Sequence, residues 1–288
     1  MSKLRPRRSV LYMPAANERA LEKAKTIASD ALIFDLEDAV SPESKDAARE
    51  NAVRAASSGE YGKREITIRC NGLDTPWGAA DIAAAAKSCA ASIVIPKVGD
   101  AAAVDAVSKH LDAAGAPAEM KIWAMIETPS AIFNARAIAS HPRVAVLVMG
   151  TNDLVKELHA VQVPGRAPVI SHLATALLAA READKPILDG VYNDIKNAEG
   201  FRDECVQGMQ MGFDGKTLIH PDQVAIANEV WAPSAAEVDH ARRVIEAFNA
   251  ARAEGKGVVQ LDGKMIENLH VANAERLIAI ADAIADLA

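Results

Sequence analysis

Residues 122–153 read IWAMIETPSAIFNARAIASHPRVAVLVMGTND. Two short apolar runs, Ile122–Glu127 and Val144–Gly150, enclose a longer Ala-rich segment with the composition of a helix. This order of apolar run, helix and second apolar run is typical of a parallel βαβ unit. Each run is followed by polar residues, and the second leads directly into Asn152 and Asp153. The unit therefore predicts a parallel sheet that presents polar groups at the carboxyl ends of its strands.

The same alternation recurs along most of the chain. The eight apolar runs are Ser9–Met13, Ala31–Asp35, Glu65–Cys70, Ser92–Pro96, Ile122–Glu127, Val144–Gly150, Ile187–Tyr192 and Phe213–Ile219. Eight βα units imply a closed α/β barrel, the (β/α)8 or TIM barrel. A doubly wound open sheet is the competing architecture, but no GxGxxG follows the first strand as a dinucleotide site would need. We predict a barrel domain over residues 1–230.

Residues 231–288 exceed what a barrel needs. Ser234 and Glu237 resemble a capping box that opens a helix to about Glu254. A short run, Val258–Leu261, and a turn at Gly263 come next. The chain ends in an amphipathic helix with an apolar face made of Val271, Ala274, Leu277, Ile278, Ala281 and Ile284. We predict a C-terminal helical extension that serves oligomerisation, with its last helix packed on a neighbouring subunit. Packing back onto the same barrel fits the sequence equally well.

Composition narrows the classes of function. The 288 residues are 50% hydrophobic, and 32 Lys and Arg face 39 Asp and Glu, a net charge of −7. An acidic chain without a long basic run is an unlikely nucleic-acid binder. Its apolar runs are too short for a membrane span, and its N-terminus lacks a secretory signal. Three scattered Cys residues fit a reducing compartment, so we expect a cytoplasmic protein.

The residues that close the strands predict an oxygen-ligated metal site. Glu127 and Asp153, after neighbouring strands, would suit Mg²⁺, because this cation prefers oxygen ligands and keeps waters that a substrate displaces. Arg69 would supply a permanent cation for a carboxylate or an oxyanion. Each residue also has a structural interpretation: the carboxylates cap helices, and Arg69 forms a salt bridge to Asp35 or Glu37. Lys97 is either a Schiff-base nucleophile or a solvated charge at the rim.

Several of these segments together resemble the HpcH/HpaI aldolase and citrate lyase family, in its citrate lyase β-subunit-like branch of CoA ester lyases. The resemblance spans nearly the whole chain, in the family's order. The motifs that carry it are Arg8–Ala15, Asp35–Val40, Arg69–Asn71, Pro96–Val98, Ile126–Pro129, Gly150–Leu154, Gly212–Lys216 and Ile219–Gln223.

The resemblance implies a (β/α)8 barrel that forms a homotrimer or a homohexamer built as a dimer of trimers. It also implies bound Mg²⁺ and an acyl thioester of CoA or of an acyl carrier protein. Glu127 and Asp153 match the family's metal ligands, and Arg69 matches the arginine that contacts the oxo-acid oxygens. Glu37 and Asp38 match acidic residues beside the metal, which we assign to its water shell and to positioning Arg69.

Further residues are assigned on the same resemblance. The loop Gly150-Thr151-Asn152 would donate backbone N–H groups to the substrate carboxylate. Tyr12, Pro14, Arg19 and Lys25 would contact the nucleotide end of the carrier. Gly263–Glu267 matches a tail segment that reaches the active site of an adjacent subunit, but Glu267 stands where the family has Asp. A role for Glu267 in proton transfer is chemically sound, although its carboxyl group lies one methylene further out.

The function expected from these matches is that of a Mg²⁺-dependent carbon–carbon lyase. It would cleave or form a 3-hydroxyacyl-CoA such as malyl-, citramalyl- or citryl-CoA, with acetyl-CoA and a 2-oxo acid as the other partners. Arg69 would stabilise the oxo-acid oxygen, and a carboxylate or a water on the metal would remove the hydroxyl proton. Three alternatives stay open: a 3-hydroxyacyl-CoA thioesterase on the same site, a citrate lyase β subunit acting on a citryl-acyl carrier protein, and a non-catalytic protein that binds CoA thioesters.

Overall fold

The computed structural model describes residues 4–287. Within it the chain divides into two compact units. The larger unit is Arg7–Val230, and the smaller unit comprises residues 231–287 together with residues 4–6. None of the helices in the described part of the chain combines the length and the apolar character that a membrane crossing needs.

The larger unit is a parallel barrel, which confirms the predicted (β/α)8 fold. Its strands are β1 Ser9–Pro14, β2 Ala31–Asp35, β3 Glu65–Arg69, β4 Ser92–Ile95, β5 Lys121–Ile126, β6 Val144–Met149, β7 Ile187–Leu188 and β8 Lys216–Leu218. The helices are α1 Glu18–Ala24, α2 Lys45–Ala56, α3 Gly78–Ala85, α4 Ala101–Ala113, α5 Pro129–Ser140, α6 Thr151–Glu157, α7 Ile170–Glu182, α8 Ala198–Met211 and α9 Gln223–Val230, with 3₁₀ turns at Pro42–Ser44 and Pro164–Arg166. The strand order runs from β7 down to β1 and then to β8.

The barrel is nearly closed between β7 and β8. A single bridge joins Asp189 to Lys216, and the N–H of Thr217 donates to the Asp189 carbonyl at 3.0 Å. Both strands are shorter than the predicted runs Ile187–Tyr192 and Phe213–Ile219, and the charged residues at their junction pair through their side chains. The buried Asp189 carboxylate lies 2.6 Å from Arg166 and 2.9 Å from Lys216, and the Lys216 ammonium also lies 2.7 Å from Glu204. This buried quartet holds the last strand against α8.

Alternate side chains of the strands fill the barrel interior. The central cluster comprises Val10, Ala31, Ile33, Val94, Trp123, Met125, Val146, Val148 and Leu188. Trp123 is fully buried in this cluster. The Arg7 guanidinium lies 5.2 Å from the centroid of the Trp123 ring and forms an ion pair with Glu65. The interior is therefore packed, and the open end lies where the strands finish.

The smaller unit has its own core. It contains α10 Ala235–Ala253, the strands β9 Val259–Leu261 and β10 Lys264–Ile266, and α11 Asn268–Leu287. Ser234 and Glu237 form the expected capping box at the start of α10. The two strands pair antiparallel through Asp262-Gly263, both at positive φ as a tight hairpin turn requires. Residues of α11, including Ala274 and Leu277, pack in one cluster with α10.

We expect replacement of Trp123 to weaken the barrel strongly. W123A would leave a large cavity in the packed interior and should lower the free energy of unfolding by about 3–5 kcal/mol. Urea unfolding followed by far-UV circular dichroism measures this loss. F133A is the control, because Phe133 on α5 is 89% exposed and its loss should change stability by less than about 0.5 kcal/mol. Equal effects of the two substitutions would contradict this account of the core.

Candidate active site

A cavity of about 330 Å³ opens at the carboxyl ends of the strands. It is lined by Tyr12, Pro14, Asp35, Asp38, Ala39, Arg69, Met125, Glu127, Met149, Gly150, Thr151, Asn152, Asp153, Val191, Thr217 and Ile219. Most of the residues assigned from the sequence therefore meet at one place. They do so because every strand of a parallel barrel ends at the same rim.

Arg69 is the fixed cation of this cavity. Its Nε and Nη2 atoms donate to the two carboxylate oxygens of Asp35, each at 2.7 Å. Its Nη1 atom lies 2.6 Å from Glu37 Oε2 and 3.7 Å from Asp38 Oδ2. The guanidinium carbon lies 4.7 Å from the ring centroid of Tyr12. Burial alone would lower the pKa of Arg69, but the charges of Asp35 and Glu37 raise it well above its ordinary value.

The residues around Glu37 are held by a buried lysine. Lys45 Nζ donates to the carbonyl oxygens of Leu36 and Glu37, both at 2.7 Å, and to the side chain of Asn71 at 2.9 Å. Burial raises the pKa of Glu37 to about 7, and the charge of Asp38 adds to this while Arg69 opposes it. Glu37 is thus a well-placed carboxyl group that exchanges a proton near neutral pH.

Glu127 directly follows β5 and is 2% exposed. Its Oε1 atom accepts a hydrogen bond from the backbone N–H of Lys97 at 2.6 Å. Its other oxygen lies against Gly150, where any Cβ would overlap the carboxylate. Burial raises the pKa of Glu127 to about 7; the Lys97 hydrogen bond opposes the shift, and the charges of Glu37 and Asp153 support it. Glu127 is therefore close to two other acidic groups.

The oxygen donors fit a hard divalent cation. Asp153 lies in the first turn of α6, which starts after Gly150, and it lines the same cavity as Glu127. Among residues 4–287, no group of three or more His, Cys, Asp or Glu side chains is arranged to hold a metal ion. Mg²⁺ commonly uses one or two carboxylates and completes its shell with water and substrate, so the pair matches its preference.

The loop at the start of α6 is fixed by side-chain amides. Asn152 Oδ1 accepts hydrogen bonds from Asn193 at 2.7 Å and from Gln162 at 2.8 Å. Thr151 packs against Gly190, which has no room for a Cβ. Within α6, Leu154 is the first residue to donate back to Gly150, so the N–H groups before it lack helical acceptors. A second cavity of about 660 Å³ lies beyond this loop and shares Thr151 and Val191 with the first.

Besides Glu37, which contacts the cavity residue Arg69 but does not line the cavity itself, three assigned residues lie outside the cavity lining. Arg19 is exposed on α1. The Lys25 ammonium is engaged by two acidic groups, Glu22 at 2.5 Å and Glu60 at 2.6 Å. Glu267 belongs to the smaller unit, where it directly precedes α11. The assignment of these three residues to substrate or proton transfer stays a prediction.

Other contributors were not assigned from the sequence. Asp35, considered only as a salt-bridge partner, orders both Arg69 and the turn after β2, because its carboxylate also accepts from the N–H groups of Glu37 and Ala39. The acidic sequence Asp35-Leu36-Glu37-Asp38 at the end of β2 is the feature that could have identified Asp35. Lys97 contributes its backbone N–H, with a φ of +49°, and no side-chain pattern marks such a position. The methionines Met125 and Met149 form part of the wall.

We expect Glu127 to make stability depend on pH. A carboxyl group whose pKa is higher in the folded chain stabilises the fold while protonated, and this contribution is lost as the pH rises from about 4.5 to about 7. In EDTA at pH 8, E127Q should therefore raise the free energy of unfolding by about 1–3 kcal/mol, with a much smaller change at pH 5. Melting temperatures at both pH values measure this, with E119Q, at an exposed acid before β5, as control. A gain independent of pH would contradict it.

Comparison with known proteins gives consistent matches. The family described as HpcH/HpaI aldolase/citrate lyase matches residues 8–221. A Cereibacter sphaeroides protein named (3S)-malyl-CoA thioesterase is 50% identical over 280 residues, covering 97% of this chain and 96% of its own. Citrate lyase subunit beta of Escherichia coli is 36% identical over 286 residues, covering 97% and 95%. The crystal structure of CitE from Mycobacterium tuberculosis with magnesium, acetoacetate and coenzyme A has a TM-score of 0.78 at 28% identity and covers 96% and 98% of the two chains.

Proposed function

We propose that this chain, which belongs to the HpcH/HpaI aldolase/citrate lyase family, hydrolyses the thioester bond of a 3-hydroxyacyl-CoA such as malyl-CoA. The observation that carries the proposal is the 50% identity, over 97% of the chain, to a protein named (3S)-malyl-CoA thioesterase. The geometry adds a buried arginine, two carboxylates and a small cavity in one place.

Glu127 and Asp153 are the residues that would hold Mg²⁺. The fit rests on their chemistry: both are oxygen donors, and the charge of Asp153 contributes to the raised pKa of the buried Glu127 carboxyl group. A bound divalent cation would relieve this repulsion. When bound, Mg²⁺ supplies Lewis acidity toward the carboxylate and hydroxyl oxygens of the substrate. Glu37, 2.6 Å from the guanidinium, would help to keep Arg69 in place, and Asp38, at 3.7 Å, would add a weaker attraction.

Hydrolysis would proceed with Arg69 as the stabilising cation. The oxygen of a water molecule bonds to the thioester carbonyl carbon, the C–S bond breaks, and the sulfur takes up a proton. Arg69 faces the cavity and stabilises the negative charge that develops on the carbonyl oxygen. Its contacts with Asp35 and Glu37 fix its direction before the substrate arrives. We assign removal of the water proton to Glu267 of a neighbouring subunit, in a homotrimer or a dimer of trimers.

Carbon–carbon cleavage is the second candidate, and it uses the same residues. It is favoured by the identity to citrate lyase subunit beta and by the similarity to CitE bound to magnesium, acetoacetate and coenzyme A. The 3-hydroxyl group would lose its proton, the adjacent C–C bond would break, and its electrons would form a thioester enolate. Arg69 would then stabilise the oxygen of the departing 2-oxo acid. A citryl-acyl carrier protein would be the substrate if the chain worked as a citrate lyase subunit.

The reaction can be identified from its products. Purified protein is incubated with malyl-, citramalyl- or citryl-CoA, with Mg²⁺ or with EDTA, and the products are identified by mass spectrometry. We expect free CoA and malate from malyl-CoA, only with Mg²⁺. E127A and D153A should lower the rate at least about a hundredfold, because each removes one of two metal ligands. E119A is the control, since Glu119 precedes β5, at the end of the strand opposite to Glu127.

The other outcomes reject parts of the proposal. Acetyl-CoA and glyoxylate from malyl-CoA would establish the lyase instead. Survival of all three thioesters would reject hydrolysis and favour an acyl carrier substrate or a protein that binds without turnover. Full activity of E127A or D153A, with an unchanged circular dichroism spectrum, would reject these residues as metal ligands.

The length of the Glu267 side chain should influence the rate of hydrolysis. E267D restores the residue that the family has at this place and withdraws the carboxyl group by one methylene. If Glu267 removes the proton of the attacking water, E267D should lower the rate of release of free CoA by at least about tenfold, because general bases contribute about 10²–10⁴ in rate. E275D, at a glutamate on α11, is the control. An unchanged rate of CoA release would remove Glu267 from the mechanism.

A further inference from the structure

The loop after β4 has an unusual backbone at Lys97. Lys97 has a φ of +49°, a conformation that side chains other than Gly and Asn rarely adopt. Its neighbours Pro96 and Val98 are buried, whereas the Lys97 side chain is exposed. The backbone at this position is therefore held by packing of the neighbouring residues on both sides, while Lys97 itself stays exposed.

Contacts from α5 fix the same loop. The carbonyl oxygen of Gly99 accepts hydrogen bonds from Ser130 Oγ at 3.1 Å and from Asn134 Nδ2 at 2.9 Å. Glu127 lies directly before the N-cap of this helix, Thr128. The loop after β4 and the start of α5 thus form one frame, with the Glu127 carboxylate between them.

Within this frame the Glu127 carboxylate is constrained at both oxygens. The Lys97 N–H donates to Oε1 at 2.6 Å. The other oxygen lies against the Cα of Gly150. Rotation of the carboxylate would break the first contact and compress the second.

We infer that Lys97 is a positioning residue for the cation site, and that it acts through its left-handed backbone, which aims its N–H at Glu127. The inference rests on the proposed function, because it takes Glu127 and Asp153 as the metal ligands. The positive charge of the Lys97 ammonium group has a separate effect. Burial lowers the pKa of this group, but the charges of Asp153, Glu37 and Glu127 outweigh burial and raise it. A positive charge beside these acids competes with a cation.

The effect of the left-handed backbone can be separated from the effect of the ammonium charge with two variants of equal charge. K97N and K97V both remove the ammonium, but Asn tolerates positive φ and the β-branched Val does not. We expect K97N to bind Mn²⁺ as tightly as the wild type or more tightly, and K97V to bind it at least about tenfold more weakly than K97N. Titration of Mn²⁺ followed by electron paramagnetic resonance of the free ion measures both constants without any turnover.

Asp184 offers a matched control. It is exposed, follows α7, lines neither cavity, and has a φ of +53°. D184N and D184V should differ in stability but not in affinity for Mn²⁺, since this left-handed residue contacts no assigned metal ligand. A difference in affinity as large as that at position 97 would mean that backbone strain anywhere in the barrel disturbs the site, and would overturn the inference.

A second measurement applies to the metal-free protein. The difference in melting temperature between K97N and K97V should shrink when each is combined with E127A, because the N–H then has no carboxylate to reach. An unchanged difference would overturn the inference, as would equal Mn²⁺ affinities of K97N and K97V or failure of the wild type to bind Mn²⁺. Protein that binds Mn²⁺ in the expected order but leaves every thioester intact would support the inference and reject the proposed function.

Discussion

The site depends on one buried carboxylate. Asp35 is the last residue of β2 and lies opposite Arg69, the last residue of β3, in the parallel register. Its two oxygens accept from both Arg69 nitrogens and from the N–H groups of Glu37 and Ala39. One side chain thereby orients the cation and shapes the turn that carries Glu37. The register of a single strand pair sets the position of Arg69.

Acidic groups outnumber basic groups around the Asp35–Arg69 pair, and this excess of negative charge affects the protonation of the carboxyl groups. Arg69 and Lys97 are two positive charges among the acidic groups Asp35, Glu37, Glu127 and Asp153, so the negative charges are only partly compensated. Burial raises the pKa values of Glu37 and Glu127 to about 7. A metal-free cavity of this kind would hold protons near neutrality, and a cation would displace them. Binding of a divalent ion should therefore be linked to proton release.

Much of this arrangement follows from the sequence, for a physical reason. Apolar runs predict strands, strands of a parallel barrel end at one rim, and so Arg69, Glu127 and Asp153 had to face one another. The interpretation of Arg69 as a salt-bridge partner of Asp35 or Glu37 was also correct, and it is compatible with a site. The short β7 and β8, which a single bridge between Asp189 and Lys216 joins, could not be predicted, because the apolar runs extend beyond the residues that pair. Nor could the backbone donor at Lys97, since its position depends on packing from β4 and α5. The role of Glu267, in the smaller unit, stays a prediction.

Two methionines, Met125 and Met149, make one part of the cavity wall more adaptable in shape than the part that carries the charged groups. One side is set by strand register and ion pairs, while the methionines are unbranched and adapt their shape to what they touch. The cavity therefore combines charged groups in fixed positions with apolar groups of adaptable shape. The two methionines are not equivalent, however: the Met125 sulfur lies 4.0 Å from the Tyr12 hydroxyl, and the Tyr12 ring packs on Arg69, so the shape of this part of the wall is coupled to the cation.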